Sequence, residues 1–160
     1  MYTTDELNAL LDRTPSDHRL RFLIVLAIET GCRIGELLAL TYSDIDTDSG
    51  QITINKSLAE IASLNLDEHK TRKANEITTT KSIDSVRTLP ITAQIRKELS
   101  VHRSWHKAEM LRNKYRTDNI FTTKTGELYF PSNTRVALRR FCIKIGVEPK
   151  GWHAFRHTYG

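Results

Sequence analysis

The sequence lacks several features that would place it in common protein classes. None of its apolar runs reaches membrane-spanning length, and its first residues lack the positive-then-apolar order of a secretory signal peptide. It has only two cysteines, Cys32 and Cys142, and neither has a metal-binding spacing such as C-x-x-C. Each cysteine lies among apolar residues, which predicts buried, reduced thiols. We therefore expect a soluble, cytoplasmic protein rather than a membrane protein or a disulfide-rich secreted domain.

Internal repeats, low-complexity tracts and domain boundaries are also lacking, so residues 1–160 are expected to form one domain. Lysine and arginine number 24 against 19 aspartate and glutamate residues, a formal net charge of +5. A basic balance favours a polyanionic partner, nucleic acid before a membrane surface. Many soluble domains carry such a charge without such a partner, so the charge alone does not identify one.

Apolar residues at helical spacing predict helices over most of the chain. A stripe of apolar side chains along residues 20–28, followed by a second along residues 34–41, is typical of helices that bury one face. Further helices are predicted from about 92 to 113, from 131 to 145, and from about 152 onward. Capping and breaking residues set the predicted ends: Thr3 with Glu6, Gly31, Thr92, Pro131 and Gly146.

The middle of the chain predicts strands instead. Residues 51–55, 76–80 and 86–91 are rich in β-branched side chains and predict a small three-stranded antiparallel sheet, with a turn at 82–85. Residues 56–75 predict a polar surface loop or a lengthened hairpin that holds Lys70, Arg72 and Lys73. The predicted fold class is α+β, mostly helical with this small sheet at an edge.

His153 and Arg156 are the first candidates for a functional site. They lie three residues apart on a predicted helix and therefore share a face. A guanidinium can hold two non-bridging oxygens of a phosphate, and an imidazole beside it can donate or exchange a proton. A zinc site is not expected, because Ala154 stands where the helical metalloprotease pattern needs glutamate and no cluster of further ligands is present.

Arg33 and Lys81 are weaker candidates when each is taken alone. Arg33 stands at a helix start, and Glu36, three residues on, could orient its guanidinium. An ordinary surface pair has the same spacing. Lys81 follows a predicted strand at a hairpin turn, where a lysine either reaches a ligand or is simply solvated.

Three separate stretches together resemble the tyrosine recombinases. Residues 29–40 (ETGCRIGELLAL) are similar to the first box of that family, residues 80–90 (TKSIDSVRTLP) to its lysine-bearing hairpin, and residues 153–158 (HAFRHT) to its H-x-x-R box. The three occur in the family's order and cover nearly the whole chain. The resemblance is greatest to integrases of bacterial phages and conjugative transposons.

The resemblance implies a role for each matching residue. Arg33 and Arg156 would clamp the scissile phosphate, His153 would bind it and assist proton transfer, and Lys81 would protonate the leaving 5′ oxygen. Glu36 would support the arginine, and Lys70, Arg72 and Lys73 are expected to contact DNA. The implied activity is metal-independent cleavage and rejoining of double-stranded DNA through a 3′-phosphotyrosyl link, by several protomers in a synaptic complex. No cofactor, metal or membrane is implied.

The family also has parts that this sequence does not match. Its N-terminal DNA-clamping domain and its C-terminal tyrosine nucleophile have no counterpart in residues 1–160, and Tyr159 is too close to Arg156 to replace the nucleophile. We expect the chain to be inactive in strand cleavage by itself. A non-catalytic DNA-binding module of the same fold and a type IB topoisomerase remain alternatives.

Overall fold

The computed structural model describes residues 1–15, 18–65, 70–79 and 86–156, with side chains described except at 63–65 and 70–72. Within these ranges helices predominate and strands are few, which confirms the predicted α+β class. A short 3₁₀ turn covers Tyr42–Asp44. The helices are α1 (Thr4–Arg13), α2 (Arg21–Thr30), α3 (Ile34–Leu38), α4 (Ala93–Asn113), α5 (Pro131–Ile145) and α6 (His153–Arg156).

The capping residues begin and end these helices as predicted. The Thr3 hydroxyl accepts the N–H of Glu6 at 3.2 Å, and the Glu6 carboxylate accepts the N–H of Thr3 at 2.7 Å, which completes a capping box. The Thr92 hydroxyl likewise accepts the N–H of Ile95 at 3.1 Å and caps α4, without a returning side-chain bond. Gly31 and Gly146 end α2 and α5 in the left-handed conformation, with φ of 60° and 76°.

Two small antiparallel sheets lie beside the helices. In the first, β2 (Gln51–Ile54) is flanked by β1 (Ile45–Asp46) and β5 (Arg87–Pro90). In the second, β3 (Lys56–Asn65) pairs with β4 (Lys70–Thr79) along their whole length. This second sheet packs against α3 and α5.

The predicted membership of the three-stranded sheet was wrong. Residues 76–79 pair with β3 rather than joining the sheet, and the third strand is β1, which has only two residues. A two-residue strand has no periodicity to read in a sequence. Residues 56–65 and 70–75 belong to the paired strands β3 and β4, a lengthened hairpin rather than a loop. Among the described side chains of β3 and β4 only Leu58 is buried, so the hairpin lacks a clear apolar alternation. The predicted turn at 82–85 lies outside the described residues.

Helix α2 is the centre of the hydrophobic core. Its six successive residues 22–27 are each at most 2% exposed, as expected for a helix that is apolar on all sides. It packs against α1, α3, α4 and α6. Both cysteines are buried free thiols, as predicted. The core therefore fixes the positions of α3 and α6, the two helices that carry candidate site residues.

Gly35 allows α3 to lie unusually close to β3. A Cβ at this position would be 2.5 Å from the carbonyl oxygen of Leu58 and 2.7 Å from the hydroxyl oxygen of Ser57. The first of these atoms belongs to a strand backbone, which cannot simply turn aside. The close approach of the two elements thus requires glycine in the first turn of α3.

Gly35→Ala should therefore destabilise the protein, although helix propensity alone favours alanine over glycine by about 1 kcal/mol. Overpacking of this kind costs about 1–3 kcal/mol, and we expect a net loss in the free energy of unfolding measured with urea. Ser100→Ala, at an exposed position in α4, is the matched control and should be neutral or slightly stabilising. An increase in stability for Gly35→Ala would contradict the close approach of α3 and β3.

Candidate active site

Arg33 lies at the junction between α2 and α3. The left-handed Gly31 ends α2, and Arg33 takes an extended conformation (φ −68°, ψ 147°) as the residue that precedes the first turn of α3. The neighbouring Cys32 is buried, whereas the Arg33 side chain is 65% exposed. The solvent-accessible guanidinium of Arg33 thus belongs to a residue that directly follows a buried one.

Glu36 is a buried carboxylate behind that arginine, with a side chain only 5% exposed. It accepts the backbone N–H of Arg33 at 2.8 Å and a two-pronged contact from Arg87 on β5, at 3.1 Å and 2.9 Å. Burial by itself would raise the pKa of Glu36, but the hydrogen bonds from Arg87 and Arg33 outweigh it and hold the pKa below its usual value. Glu36 is therefore ionised at neutral pH.

Helix α6 brings His153 and Arg156 to the same region. Ala154 and Phe155 are buried, and the Phe155 ring lies 4.6 Å, between centroids, from the ring of Tyr2. His153 is exposed and Arg156 is partly exposed, on the other side of this short helix. The apolar residues between them therefore anchor α6 in the core.

A cavity of about 300 Å³ joins these elements. Arg33, His153 and Arg156 all line it, together with residues of β3 and the buried Trp152. No carboxylate is among the described residues that line it. Three groups able to bear positive charge, drawn from opposite ends of the sequence, thus face one small space, which suits it to an anion of phosphate size.

The sequence model of the phage integrase family matches residues 2–160 of this chain. The chain belongs to that family. A tyrosine recombinase XerC-like protein of Caldanaerobacter subterraneus subsp. tengcongensis is 32% identical over an alignment of 149 residues, and the match covers 89% of this chain and 38% of that protein. The chain therefore spans well under half the length of this relative.

Solved structures share the fold of this integrase-family chain. A crystal structure of XerA recombinase has a TM-score of 0.67 and 23% identity, covering 99% of this chain and 46% of that one. The Tn1549 transposon integrase, in complex with transposon right end DNA, has a TM-score of 0.73 and 19% identity, covering 99% and 51%. At these identities the likeness shows the fold alone.

The lysines and arginine that were expected to contact DNA lie on β4 of the integrase fold. The backbones of Lys70 and Arg72 pair with β3, and Lys81 lies outside the described residues. Lys73 has a carboxylate partner, since its Nζ lies 2.9 Å from Glu60 of β3. The charge of Lys73 is therefore partly neutralised before any DNA arrives.

Glu60 also joins the hairpin to α5. Its second carboxylate oxygen accepts the backbone N–H of Ser132, in the first turn of α5, at 3.1 Å. Hydrogen bonding from the side chain of Ser132 first, and from Lys73 second, lowers the pKa of Glu60 to about 2. Asn75 of β4 adds bonds to the carbonyls of Leu128 and Tyr129, each at 3.3 Å. These contacts fix the hairpin against the segment that leads into α5.

The sequence analysis did not identify the exposed cations of α5 as candidate DNA contacts. This helix has no aspartate or glutamate, and none of its four cationic side chains forms an ion pair within the described part of the chain. All four are exposed: Arg135, Arg139, Arg140 and Lys144. Arg135 lines a second cavity of about 450 Å³ that His153 and Trp152 also line. The run of cations without carboxylates was visible in the sequence.

Among the described residues, no group of three or more histidine, cysteine, aspartate or glutamate side chains could hold a metal ion. None of the described helices has the length and apolar character needed to cross a bilayer.

Glu60→Gln should loosen the hairpin from α5. The neutral glutamine amide cannot form an ion pair with Lys73, and it accepts the Ser132 N–H less strongly than a carboxylate does. We expect hydrogen exchange of the Ser132 amide to rise roughly three- to tenfold. Glu76→Gln, at an exposed position on β4, is the matched control and should leave that exchange unchanged. Equal exchange rates in both variants would show that Glu60 does not hold the hairpin.

Proposed function

We propose that this chain is the phosphate-binding part of a tyrosine recombinase catalytic domain that cleaves and rejoins double-stranded DNA at specific sites. The observation that carries the proposal is the shared cavity of Arg33, His153 and Arg156. Family membership supports the reaction class, and the names of the relatives, a XerC-like tyrosine recombinase and a transposon integrase, support strand exchange as its purpose. A DNA substrate in bacteria implies a cytoplasmic location.

The reaction has a clear use for such a cavity. In the chemistry that the family resemblance implies, a tyrosine hydroxyl attacks the phosphorus, the P–O bond to the 5′ oxygen breaks, and a 3′-phosphotyrosyl link forms. Negative charge grows on the non-bridging oxygens in the five-coordinate transition state. Arg33 and Arg156 would neutralise that charge and His153 would donate to it, each preorganised donor being worth roughly 10²–10³ in rate.

The leaving 5′ oxygen needs a proton as its bond to phosphorus breaks. Lys81 is proposed to supply it, and a positioned general acid contributes about 10²–10⁴ in rate. The described strands β4 and β5 end and begin close to this residue in sequence, and β5 carries the Arg87 that contacts Glu36. Strand β5, which begins a few residues after Lys81, is therefore linked through Arg87 and Glu36 to α3, the helix that Arg33 precedes.

DNA would lie along the exposed cations beside the cavity. Arg135 and Arg139, one turn apart on α5 with no carboxylate on that helix, present positive charge to a duplex backbone, and Arg135 extends it to the cavity of His153. Other recombinase protomers are proposed as partners in a synaptic complex, since strand exchange requires two DNA sites held together.

Arg33→Ala or Arg156→Ala, in a recombinase polypeptide that includes this chain and a tyrosine nucleophile, should lower single-turnover DNA cleavage by about 10²–10³. Duplex affinity should change only severalfold, because many other cations contact the backbone. Arg96→Ala is the matched control, since the Arg96 guanidinium bonds the Thr47 carbonyl at 3.0 Å. Cleavage at normal speed in either clamp variant would refute the phosphate assignment.

The same preparation separates the alternatives. Tight duplex binding by the unsubstituted protein with no cleavage would favour a non-catalytic DNA-binding module. Relaxation of supercoiled DNA without exchange of strands between sites would favour a topoisomerase.

Binding of the 160-residue chain to duplex DNA should fall steeply as salt rises, because each phosphate contact releases a counterion. Arg139→Ala should weaken binding to unrelated duplexes by a similar factor and reduce the slope of log K against log salt by about one. Arg139→Lys is the matched control and should retain the slope. A slope that does not change in Arg139→Ala would place the DNA elsewhere than on α5.

A further inference from the structure

Arg87 contacts Glu36 closely and has no role in the proposed reaction. Its two terminal nitrogens donate to the two oxygens of Glu36, at 3.1 Å and 2.9 Å, and one of them also reaches the sulfur of Cys32 at 3.3 Å. Arg87 is not among the described residues that line the cavity of Arg33. It therefore lies in the layer behind the site, where it contacts the neighbours of Arg33 and not a ligand.

Two guanidinium groups compete for one carboxylate in this arrangement. Arg87 has the short, two-pronged contact, which is the strong form of this interaction. The Nη1 of Arg33 lies 3.7 Å from the nearer Glu36 oxygen, beyond hydrogen-bonding distance. Arg87, outside the cavity, thus makes the close contact with Glu36, whereas Arg33, which lines the cavity, does not.

The competition between Arg87 and Arg33 for Glu36 determines how much positive charge the Arg33 side chain offers to a phosphate. Glu36 with Arg87 forms a close pair, which leaves Arg33 only a longer ion pair of 3.7 Å with the same carboxylate. Without Arg87, a carboxylate only 5% exposed would have lost its main partner, with a second cation already 3.7 Å away. Arg33 would then move onto Glu36, because a buried charge without a partner is costly.

We propose that Arg87 is a positioning residue that occupies Glu36 and so keeps the Arg33 guanidinium available to a phosphate. This inference rests on the proposed function, since it requires that Arg33 binds phosphate. Arg87 touches no substrate in this scheme, and its effect passes entirely through Glu36. Through Glu36, β5 would thus influence the cavity.

A double-mutant cycle tests the proposal, with inorganic phosphate as the probe and the 160-residue chain as the protein. Phosphate affinity is measured by NMR from the side-chain Nε–Hε resonances of the arginines, after thermal unfolding has confirmed that each variant is folded. We expect Arg87→Ala to weaken phosphate binding roughly tenfold. In the E36Q background, where no carboxylate can capture Arg33, the same substitution should change binding less than about threefold.

Each result has a distinct meaning. A loss of the same size in both backgrounds would overturn the proposal, because it would show that Arg87 acts through general structure and not through the Glu36 charge. Wild-type affinity in Arg87→Ala would also overturn it. If phosphate fails to bind the unsubstituted chain, or binds Arg33→Ala equally well, the phosphate clamp itself is wrong and the inference falls with it.

Arg87→Lys supplies a second route if Arg87→Ala does not fold. Lysine is a point charge that cannot bridge both oxygens of Glu36. We expect a smaller loss of phosphate affinity than in Arg87→Ala, again removed in the E36Q background. Persistence of that loss when Glu36 is neutral would count against the proposal. Arg96→Ala serves as the matched control in all measurements.

Discussion

The ionised carboxylate of Glu36 is the interaction on which the candidate site depends. It is nearly inaccessible to water and keeps its charge because Arg87 and the backbone of Arg33 donate to it. A buried carboxylate with these partners fixes the start of α3 against β5. The close contact of α3 with β3, which Gly35 allows, fixes the other side of the same helix. The exposed guanidinium of Arg33 therefore extends from a backbone that is held on both sides.

The second half of the site depends on hydrophobic anchoring instead. Helix α6 has only four residues and could not persist as an isolated helix. Phe155 packs on Tyr2 at the other end of the sequence, and Trp152 lies in contact range of Phe155 with ring centroids 5.7 Å apart. The core thus holds His153 and Arg156 opposite Arg33. An ion pair thus positions one half of the cavity and aromatic burial positions the other, while α2 packs against the helices of both halves.

Much of this arrangement could be read from the sequence, because local signals set it. Helix ends followed from capping residues such as Thr3 and Gly31, and the boxes around Arg33 and His153 identified the cavity residues. The rest depends on pairings between distant residues. Nothing local indicates that Arg87 contacts Glu36 across 51 positions, or that β1, two residues long, completes a sheet. The hairpin of β3 and β4 has no alternating apolar pattern, because few of its described side chains are buried.

The contrast between Lys73 and α5 shows why a count of basic residues is a poor guide to a DNA-binding surface. Lys73 lies in a cluster of cations in the sequence, which predicts a DNA contact. Its charge is partly neutralised by Glu60, whose other carboxylate oxygen caps α5. The cations of α5 attract less notice in the sequence, but among the described residues none of them has a carboxylate partner. An uncompensated cation changes the surface potential more than a paired one. The surface charge that DNA would meet therefore depends on where the carboxylates lie as well as on the number of cations. The same holds behind the cavity, where Arg87 rather than Arg33 makes the close contact with Glu36.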